Sequence, residues 1–537
     1  GFNFDGSYTN GKGNRPETST LSVNNFTAKL GSQTFRGSFM VTDFSKPWAE
    51  LTFKGTLLPA ELREYFNLTN IDKAGGSIAL NVKLSGLMAK KEKYKIGDLF
   101  SLNSRSEATV RSVSVIMKDK NISLSDAGGS VLFNETTTTS GFRFNLNGNT
   151  IILDASLTNF PSWAAGNPVS LGGKASVTSS CLKPELFFDN SGGKAVKVKD
   201  NGKAPLNLPD KILVGVDFSF DSLVYKTFKA NRVKGSMNFK PGQLNFSSLN
   251  LNSQKGSMSG NGALIQHADR SFVGRGSFGV NNVDVNEAFL SFNNFGQNFL
   301  KSENIAGSLS GNISLVLPVD SMLKPDMKSL TADGKYVLSD GALIDFDPVK
   351  ALSSFVELSE LENIKFEKLE NEFFIRNNCF YIPQMEVRSS AVDLSVNGTH
   401  TFDNNYQYHV KMLLSELLSN KARRNKSLSD DFGEVEDDGL GRTSVFLKID
   451  GKGEEVKVSY DGKAAGDQVK NAIRKERQTL RNILNEEYGM YKKDTVERKA
   501  RKPKFRVTWE GTGAKTEETE PPVVKKESII RNLFKKK

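Results

Sequence analysis

Few residues in this chain of 537 could carry covalent chemistry. There are two cysteines, Cys181 and Cys379, and three histidines, His267, His400 and His409. Two cysteines make neither a disulfide framework nor a four-ligand zinc site. A two-residue hairpin turn at Asn404-Asn405 would make His400 and His409 cross-strand partners. Two imidazoles can hold a metal, yet no cysteine and no paired carboxylate at a suitable spacing completes the set. The plain reading is two polar residues facing outward. The acidic run Asp430, Asp431, Glu434, Glu436, Asp437 and Asp438 lacks the glycine and ligand spacing of an EF-hand and reads as a solvated loop. No phosphate loop, nucleophile elbow, HExxH or dinucleotide fingerprint occurs. The chain therefore reads as a binder or carrier rather than an enzyme, with no metal or cofactor expected.

The residues that do recur in a pattern are apolar, and they alternate. Ile78, Leu80, Val82 and Leu84 form one row, and Ile313, Leu315 and Leu317 another. Leu244 and Phe246, then Leu249 and Leu251, then Met385 and Val387 are further candidates. Val445, Leu447 and Ile449, and Val456, Val458 and Tyr460, flank a Gly451-Lys-Gly turn. Strict alternation places one face of a sheet on apolar contacts and the other, rich in Ser, Asn, Thr and Lys, in water. Asn-Gly pairs at 10, 147, 201, 261 and 397 supply turns between closely spaced strands, the pattern of an antiparallel meander. Phe numbers 37 against 3 Trp and 11 Tyr, and a ring without a polar handle suits fully apolar surroundings.

Charge divides along the chain. The formal net charge is +11, but Lys463–Lys537 alone holds 21 Lys and Arg against 11 Asp and Glu. The body is nearly neutral, without the basic stripe and interleaved aromatics of a nucleic-acid binder. The excess belongs to a basic helix over Asp467–Tyr488 and a tail ending in Lys535, Lys536 and Lys537. Arg474, Lys475, Arg477 and Arg481 on that helix, with the three terminal lysines, are candidates for contact with an anionic membrane or a protein partner. For the helix, docking across the sheet end as a cap on its open edge, with its charges solvated, is the favoured reading. No run of 18 apolar residues is present. The chain opens Gly1-Phe-Asn-Phe-Asp without Met and reads as a piece of a longer protein, in which any signal or anchor would lie upstream.

The elements that must position these rows are mostly strands. Residues 228–262 align without gaps on 364–398, with the apolar phase kept throughout, as a repeated supersecondary unit would keep it. A helix followed by a glycine and a strand occurs twice: Pro59–Leu68 before Gly76, and Val285–Leu300 before Gly307. Asp347-Pro348 reads as the N-cap and first residue of a helix with Leu352, Phe355, Val356 and Leu361 on its apolar stripe. A short helix covers Met412–Leu418, a last strand Phe505–Trp509, and a disordered linker Thr512–Glu527. The expected organisation is β-groove repeats over 1–214, a second groove region over 215–462, the basic helix over 463–490, and a disordered basic tail over 491–537.

About 25 short strands at ~4.8 Å spacing would span ~120 Å in one sheet, and an open sheet that long must curl, split or fold over. Helices are too few to cover its apolar face. Two arrangements follow and both stay open: stacked sandwiches with a dry Phe-rich core, or a half-pipe whose apolar inner face is filled by something extended and apolar. An acyl chain of ~16 carbons, at ~0.8 kcal/mol per methylene, would lose ~13 kcal/mol in water.

Particular residues resemble a known family. The run Leu343-Ile-Asp-Phe-Asp-Pro-Val-Lys-Ala-Leu, then Phe355 and Ile364-Lys-Phe-Glu-Lys-Leu, looks like the C-terminal region of AsmA-like proteins. So do Ile382-Pro-Gln-Met-Glu-Val-Arg-Ser-Ser, Val396-Asn-Gly-Thr-His-Thr-Phe-Asp and Tyr408. The likeness is strongest over about 215–462 and looser upstream. The family is similar to TamB-type bridge-like lipid-transfer proteins. The resemblance implies a long curled antiparallel β-groove in the periplasm of a double-membrane bacterium, anchored to the inner membrane by an N-terminal segment. It implies phospholipid as cargo and a role in supplying or balancing the outer membrane. It brings no catalytic motif. The rival expectation is a β-rich envelope scaffold or assembly factor that binds protein partners and conducts no lipid.

Overall fold

In a computed structural model the described residues are 1–89, 91, 96–99, 102–118, 122–164, 166–184, 186, 207–297, 299–321, 324–354, 356–413, 435–437, 443–453 and 455–490. Phe355, most of the expected helix over Met412–Leu418 and of the charged loop over Ser419–Leu440, and everything from 491 onward, including Lys535, Lys536 and Lys537, lie outside them; Met412 itself belongs to the strand Asn405–Leu413, not to a helix. The described residues belong to one unit, Gly1–Tyr491.

Alternating rows and tight turns produce a single curled sheet of 25 strands that does not close into a barrel. It is mostly a meander: each strand pairs antiparallel with its sequence neighbour, from Phe2–Thr9 at one edge to Glu455–Tyr460 at the other. One pair is parallel, Leu171–Leu182 beside Ile212–Tyr225, with Val177 opposite Phe218. Pairing runs unbroken through this junction, so the sheet does not divide at residue 214, which falls inside a strand.

The repeat is a repeat in space. Strands Phe228–Lys240, Gln243–Ser253 and Gly256–Gln266 correspond, 136 residues on, to Asn363–Arg376, Cys379–Val387 and Leu394–Thr401. Even the bulge recurs. Register shifts between Phe246 and Leu249 in the first copy and between Ile382 and Met385 in the second. An extra residue in one strand reverses side-chain parity beyond it. That is why Leu244 and Phe246 share a face with Leu249 and Leu251 despite their opposite parity.

The helix–glycine–strand pattern also has a physical cause. Gly76 (φ 83°) and Gly307 (φ 128°) each sit at a bulge in the strand after the helix. A Cβ on Gly307 would stand 2.9 Å from the Cα of Gly341, a conformation and a clearance that only glycine tolerates. The helices are shorter than the sequence suggests. Pro59–Tyr65 and Val285–Ser291 end before 68 and 300. The second stops because Asn293, Asn294, Phe295 and Gly296 all take left-handed backbone. The helix expected after Asp347 is broken into Asp347–Lys350, Ala351–Ser354 and Leu358–Leu361, with Phe346 rather than Asp347 at its N-cap. The C-terminal helix starts four residues earlier than expected, at Lys463, and ends at Gly489 in a left-handed C-cap.

Candidate functional site

Followed strand by strand through the registers, every apolar row picked from the sequence lies on one face. Leu80 is opposite Gly55 and Ala108, Phe218 opposite Gly235, Gly235 opposite Leu249, Leu249 opposite Gly260, Phe278 opposite Ile313. Bulges preserve this assignment instead of flipping it. Ile78, Leu80, Val82, Leu84, Leu244, Phe246, Leu249, Ile313, Leu315 and Leu317 are half-buried on this inner face, and Leu251 is buried. From the first strand to about Asp284 the chosen rows are half-buried, interrupted where Phe160 and Trp163 of the short helix Phe160–Ala164 pack with Leu171, Val214 and Val216, and where Phe218, Phe220, Val233 and Leu251 are buried.

That floor has a construction the sequence does not announce. Aromatic rings lie across glycines of the adjoining strand. A Cβ built on Gly235 would stand 2.5 Å from the Phe218 ring, and one on Gly260 the same distance from Phe278. Gly37 under Phe26, Gly55 under Phe35, Gly276 under Phe278, Gly334 under Phe373, Gly341 under Phe366 and Gly451 under Tyr406 repeat the arrangement. A ring laid flat over a missing side chain covers the backbone with apolar surface and projects little. At the first edge the rings also stack on one another, with Phe26 and Phe35 each against Phe53 at centroid distances of 6.4 and 5.3 Å.

The C-terminal end is different. There the inner face is a sealed core. Leu352, Val356 and Leu361, from the short turns over 347–361, pack on Ile364, Val396, Tyr406, Tyr408, Val410, Met412, Val445, Leu447 and Ile449. Met385 and Val387 pack against this cluster, so these two candidates are covered by the protein's own side chains. Val285 and Phe289 likewise lie on Leu338 and Phe366.

His400 and His409 are corrected on two counts. The hairpin pairs His400 with Tyr406 and His409 with Asn397, because the turn falls before Asn405 and not on it. The two rings therefore lie on opposite faces, and neither faces solvent. His400 is wholly buried, stacked on Phe299 at 3.8 Å and bonded to the Tyr408 hydroxyl at 2.7 Å and to Asn404 Oδ1 at 2.9 Å. Burial pulls its pKa down to about 4, against the opposing pull of the Asn404 bond. His409, on the outer face, meets Asp461 at 2.5 Å. Among the described residues no three His, Cys, Asp or Glu side chains converge as metal ligands would.

The outer face is polar and carries the C-terminal helix. Arg477 is no free contact for a membrane or partner. Its Nε donates to Asp333 Oδ1 at 2.6 Å, another of its nitrogens bonds Glu372, and it is 6% exposed. Arg481 donates to the other Asp333 oxygen at 3.0 Å. Arg474 reaches Gln384 weakly at 3.4 Å, while Lys475 is exposed. Ile473, Leu480 and Leu484 bury on Val316 and Phe374. Burial raises the Glu372 carboxyl, but Lys335 and Arg477 outweigh that and hold it below its ordinary value. The helix thus lies on the outer surface of the strands, not across the sheet's end. No helix among the described residues is long and apolar enough to cross a membrane.

No protein-family model matches the chain, and no curated protein or solved structure matches it either. The arrangement itself is that of a long apolar face, half-buried along much of its length, covered in part around Leu171 and Val214, and sealed at the C-terminal end. The glycine–ring pairs, and the surface on which the stripe Leu352, Val356 and Leu361 packs, escaped sequence reading because both depend on register across strands. One signal was present: Leu315-Val316-Leu317 and Phe373-Phe374 break strict alternation, and they do so where both faces are covered.

Proposed function

We propose that this is an AsmA-like periplasmic lipid carrier, in which phospholipid acyl chains lie on the apolar inner face while head groups stay in water at the open seam. In the full-length protein an inner-membrane anchor would hold the groove so that lipid moves between the inner and outer membranes. The observation that carries this reading is the one-sided apolar face, continuous across strands from Phe2–Thr9 to Phe272–Asp284, half-buried along the rows at Ile78, Leu80, Val82 and Leu84 and at Leu244, Phe246 and Leu249, and covered by the chain itself around Leu171, Val214 and Val216. Each methylene moved from water to such a face is worth about 0.8 kcal/mol, and an unbroken floor lets a chain slide without crossing a polar step.

Native mass spectrometry of protein purified under mild conditions tests it. Co-purifying phospholipid, lost in a Leu80→Glu, Leu249→Glu double variant that keeps its circular dichroism, is the expected result. A lipid-free protein that takes up no phospholipid from vesicles would end the proposal. A second reading, an envelope scaffold that binds protein, has one observation in its favour: the edge strand Phe2–Thr9 is exposed along its whole length. Such an edge accepts an added strand. A stoichiometric protein partner on that edge without bound lipid would favour it.

A further inference from the structure

The segment between strands Phe272–Asp284 and Ile305–Val319 does more than connect neighbours. Two adjacent antiparallel strands need only a few residues between them, yet this connection has 20. It leaves one rim with Asp284 capping the helix Val285–Ser291, through a bond to the Glu287 amide at 3.1 Å. Val285 and Ala288 are buried, and Val285 packs with Leu338 and Phe366 on the inner face. Its four left-handed residues then turn the chain across the floor. Gly296 arrives beside Met327, which belongs to the connection at the opposite rim; a Cβ there would meet Met327 Cγ at 3.4 Å. Phe299 stacks on His400, four strands further along the sheet. The chain then returns to the first rim, where Asn304 donates to the Ile344 carbonyl at 3.0 Å.

The segment therefore spans the trough from rim to rim and has two sides. Phe299 faces the sealed core. Phe292 faces the other way, against Phe228 at 5.4 Å, and stacks on Phe295 at 5.5 Å. Phe292 and Phe295 are each 42% exposed and Leu290 is 58% exposed. Large apolar side chains left uncovered on a strained, well-anchored turn invite an apolar ligand. The nearest apolar surface is the cluster of buried Phe218, Phe220, Val233 and Leu251, against which Phe228 and the half-buried Phe246 and Leu249 pack.

We infer that residues 285–297 and 299–304 form the end wall of the acyl-chain track, with Phe292 and Phe295 as the surface against which the end of a lipid chain stops. This inference rests on the lipid reading above. It divides the candidate rows: Leu80, Phe246 and Leu249 touch lipid, whereas Met385 and Val387 are structural core and never do. Lipid that reaches the wall leaves sideways through the seam, not onward to the C-terminal edge.

Site-specific photocrosslinking distinguishes the parts. A benzophenone amino acid is placed singly at Leu249, Phe292, Met385 and Val387. The full chain is incubated with vesicles of 16-carbon phosphatidylethanolamine and phosphatidylglycerol carrying a radiolabelled acyl chain, then irradiated. Adducts at Leu249 and Phe292, and at least tenfold less at both Met385 and Val387, are expected. Comparable labelling at Met385 or Val387 overturns the wall while leaving the lipid reading standing. Labelling at Leu249 without any at Phe292 overturns Phe292 as the stop. No labelling at any position overturns both. Two sealed positions are used so that a folding defect at one, checked by circular dichroism, does not decide the outcome.

Discussion

Residues 228–262 and 364–398 are the same three strands built twice, in the same order and with the same bulge, and they differ in what lies on them. In the second copy the inner face meets Leu352, Val356 and Leu361 and becomes a dry core. In the first, Phe246 and Leu249 pack on Phe218, Phe220, Val233 and Leu251 with no helical connection among them, and Leu244, Phe246 and Leu249 are half-buried, as their counterparts Phe380, Ile382 and Met385 are. A strand unit with one apolar face specifies a curled sheet but not its filler. The filler is supplied elsewhere, by helical connections at the C-terminal end and, in our proposal, by lipid over the rest. Of the two arrangements that alternation left open, a sealed core and an open trough, each occupies its own part of one sheet.

The largest test of that contrast places the same charge in both regions. Leu447 is 1% exposed in the sealed core. Leu447→Glu buries a carboxylate with no partner and should cost about 3–5 kcal/mol, enough to lose the C-terminal core. Leu80→Glu, on the open floor, leaves its charge within reach of water and should cost about 1 kcal/mol while abolishing lipid uptake. Urea unfolding followed by circular dichroism compares them. Equal losses would mean the floor is as closed as the core.

Acid should also act on one region only. The unfolded His400 imidazole takes its proton near pH 6.5, and the folded one near pH 4. Between those values the unfolded state binds more protons, so stability is full above about pH 6.5 and falls as pH drops toward 4. For a fully buried ring the loss is about 3 kcal/mol. His400→Gln should flatten this dependence for the C-terminal strands, read as amide exchange. Strands such as Ile71–Leu87, far from this histidine, should lack it. A uniform response along the sheet would refute the assignment.

Arg477→Ala probes the outer face behind the sealed end. It leaves Asp333 with Arg481 as its remaining cationic partner and should cost about 2–3 kcal/mol. Because the helix is held through Asp333 and Glu372, its protection from exchange should fall first, leaving the open floor's lipid uptake intact. Unchanged helix protection would mean that the apolar stripe alone docks it.

The one-sided face, the three-stranded repeat and the C-terminal helix were legible in sequence because they rest on short-range periodicity. What covers each face was not. Arg477 reads as a surface cation because helix periodicity distinguishes polar from apolar faces, and here the partner surface is itself polar. Met385 and Leu249 are indistinguishable by phase, since the residues that cover one of them arrive from a connection tens of positions away. The three-residue error in the His400 register arose because turn propensity at Asn404-Asn405 centred the hairpin between those residues, whereas the pairing centres on Asp403.

The smallest effect tests the floor most directly. Gly55 and Gly451 both lie under aromatic rings, Phe35 and Tyr406, and in both the nearest atoms to an added Cβ belong only to that ring. Neither glycine needs a left-handed backbone. Alanine must therefore displace the ring, and the cost depends on whether the ring has room to move. Tyr406 is locked within the sealed core between His400 and Tyr408, so Gly451→Ala should cost about 1–3 kcal/mol, as overpacking does. Phe35 is itself buried, but its stacking partner Phe53 is half-buried on the inner face, so the pair can give where Phe53 yields. Gly55→Ala should then cost under about 1 kcal/mol in lipid-free protein. With lipid bound the same movement collides with the acyl chain, so Gly55→Ala should weaken uptake while Gly451→Ala leaves the floor's affinity unchanged. Equal costs at the two glycines, or uptake insensitive to the first, would show that nothing occupies the space above Phe35.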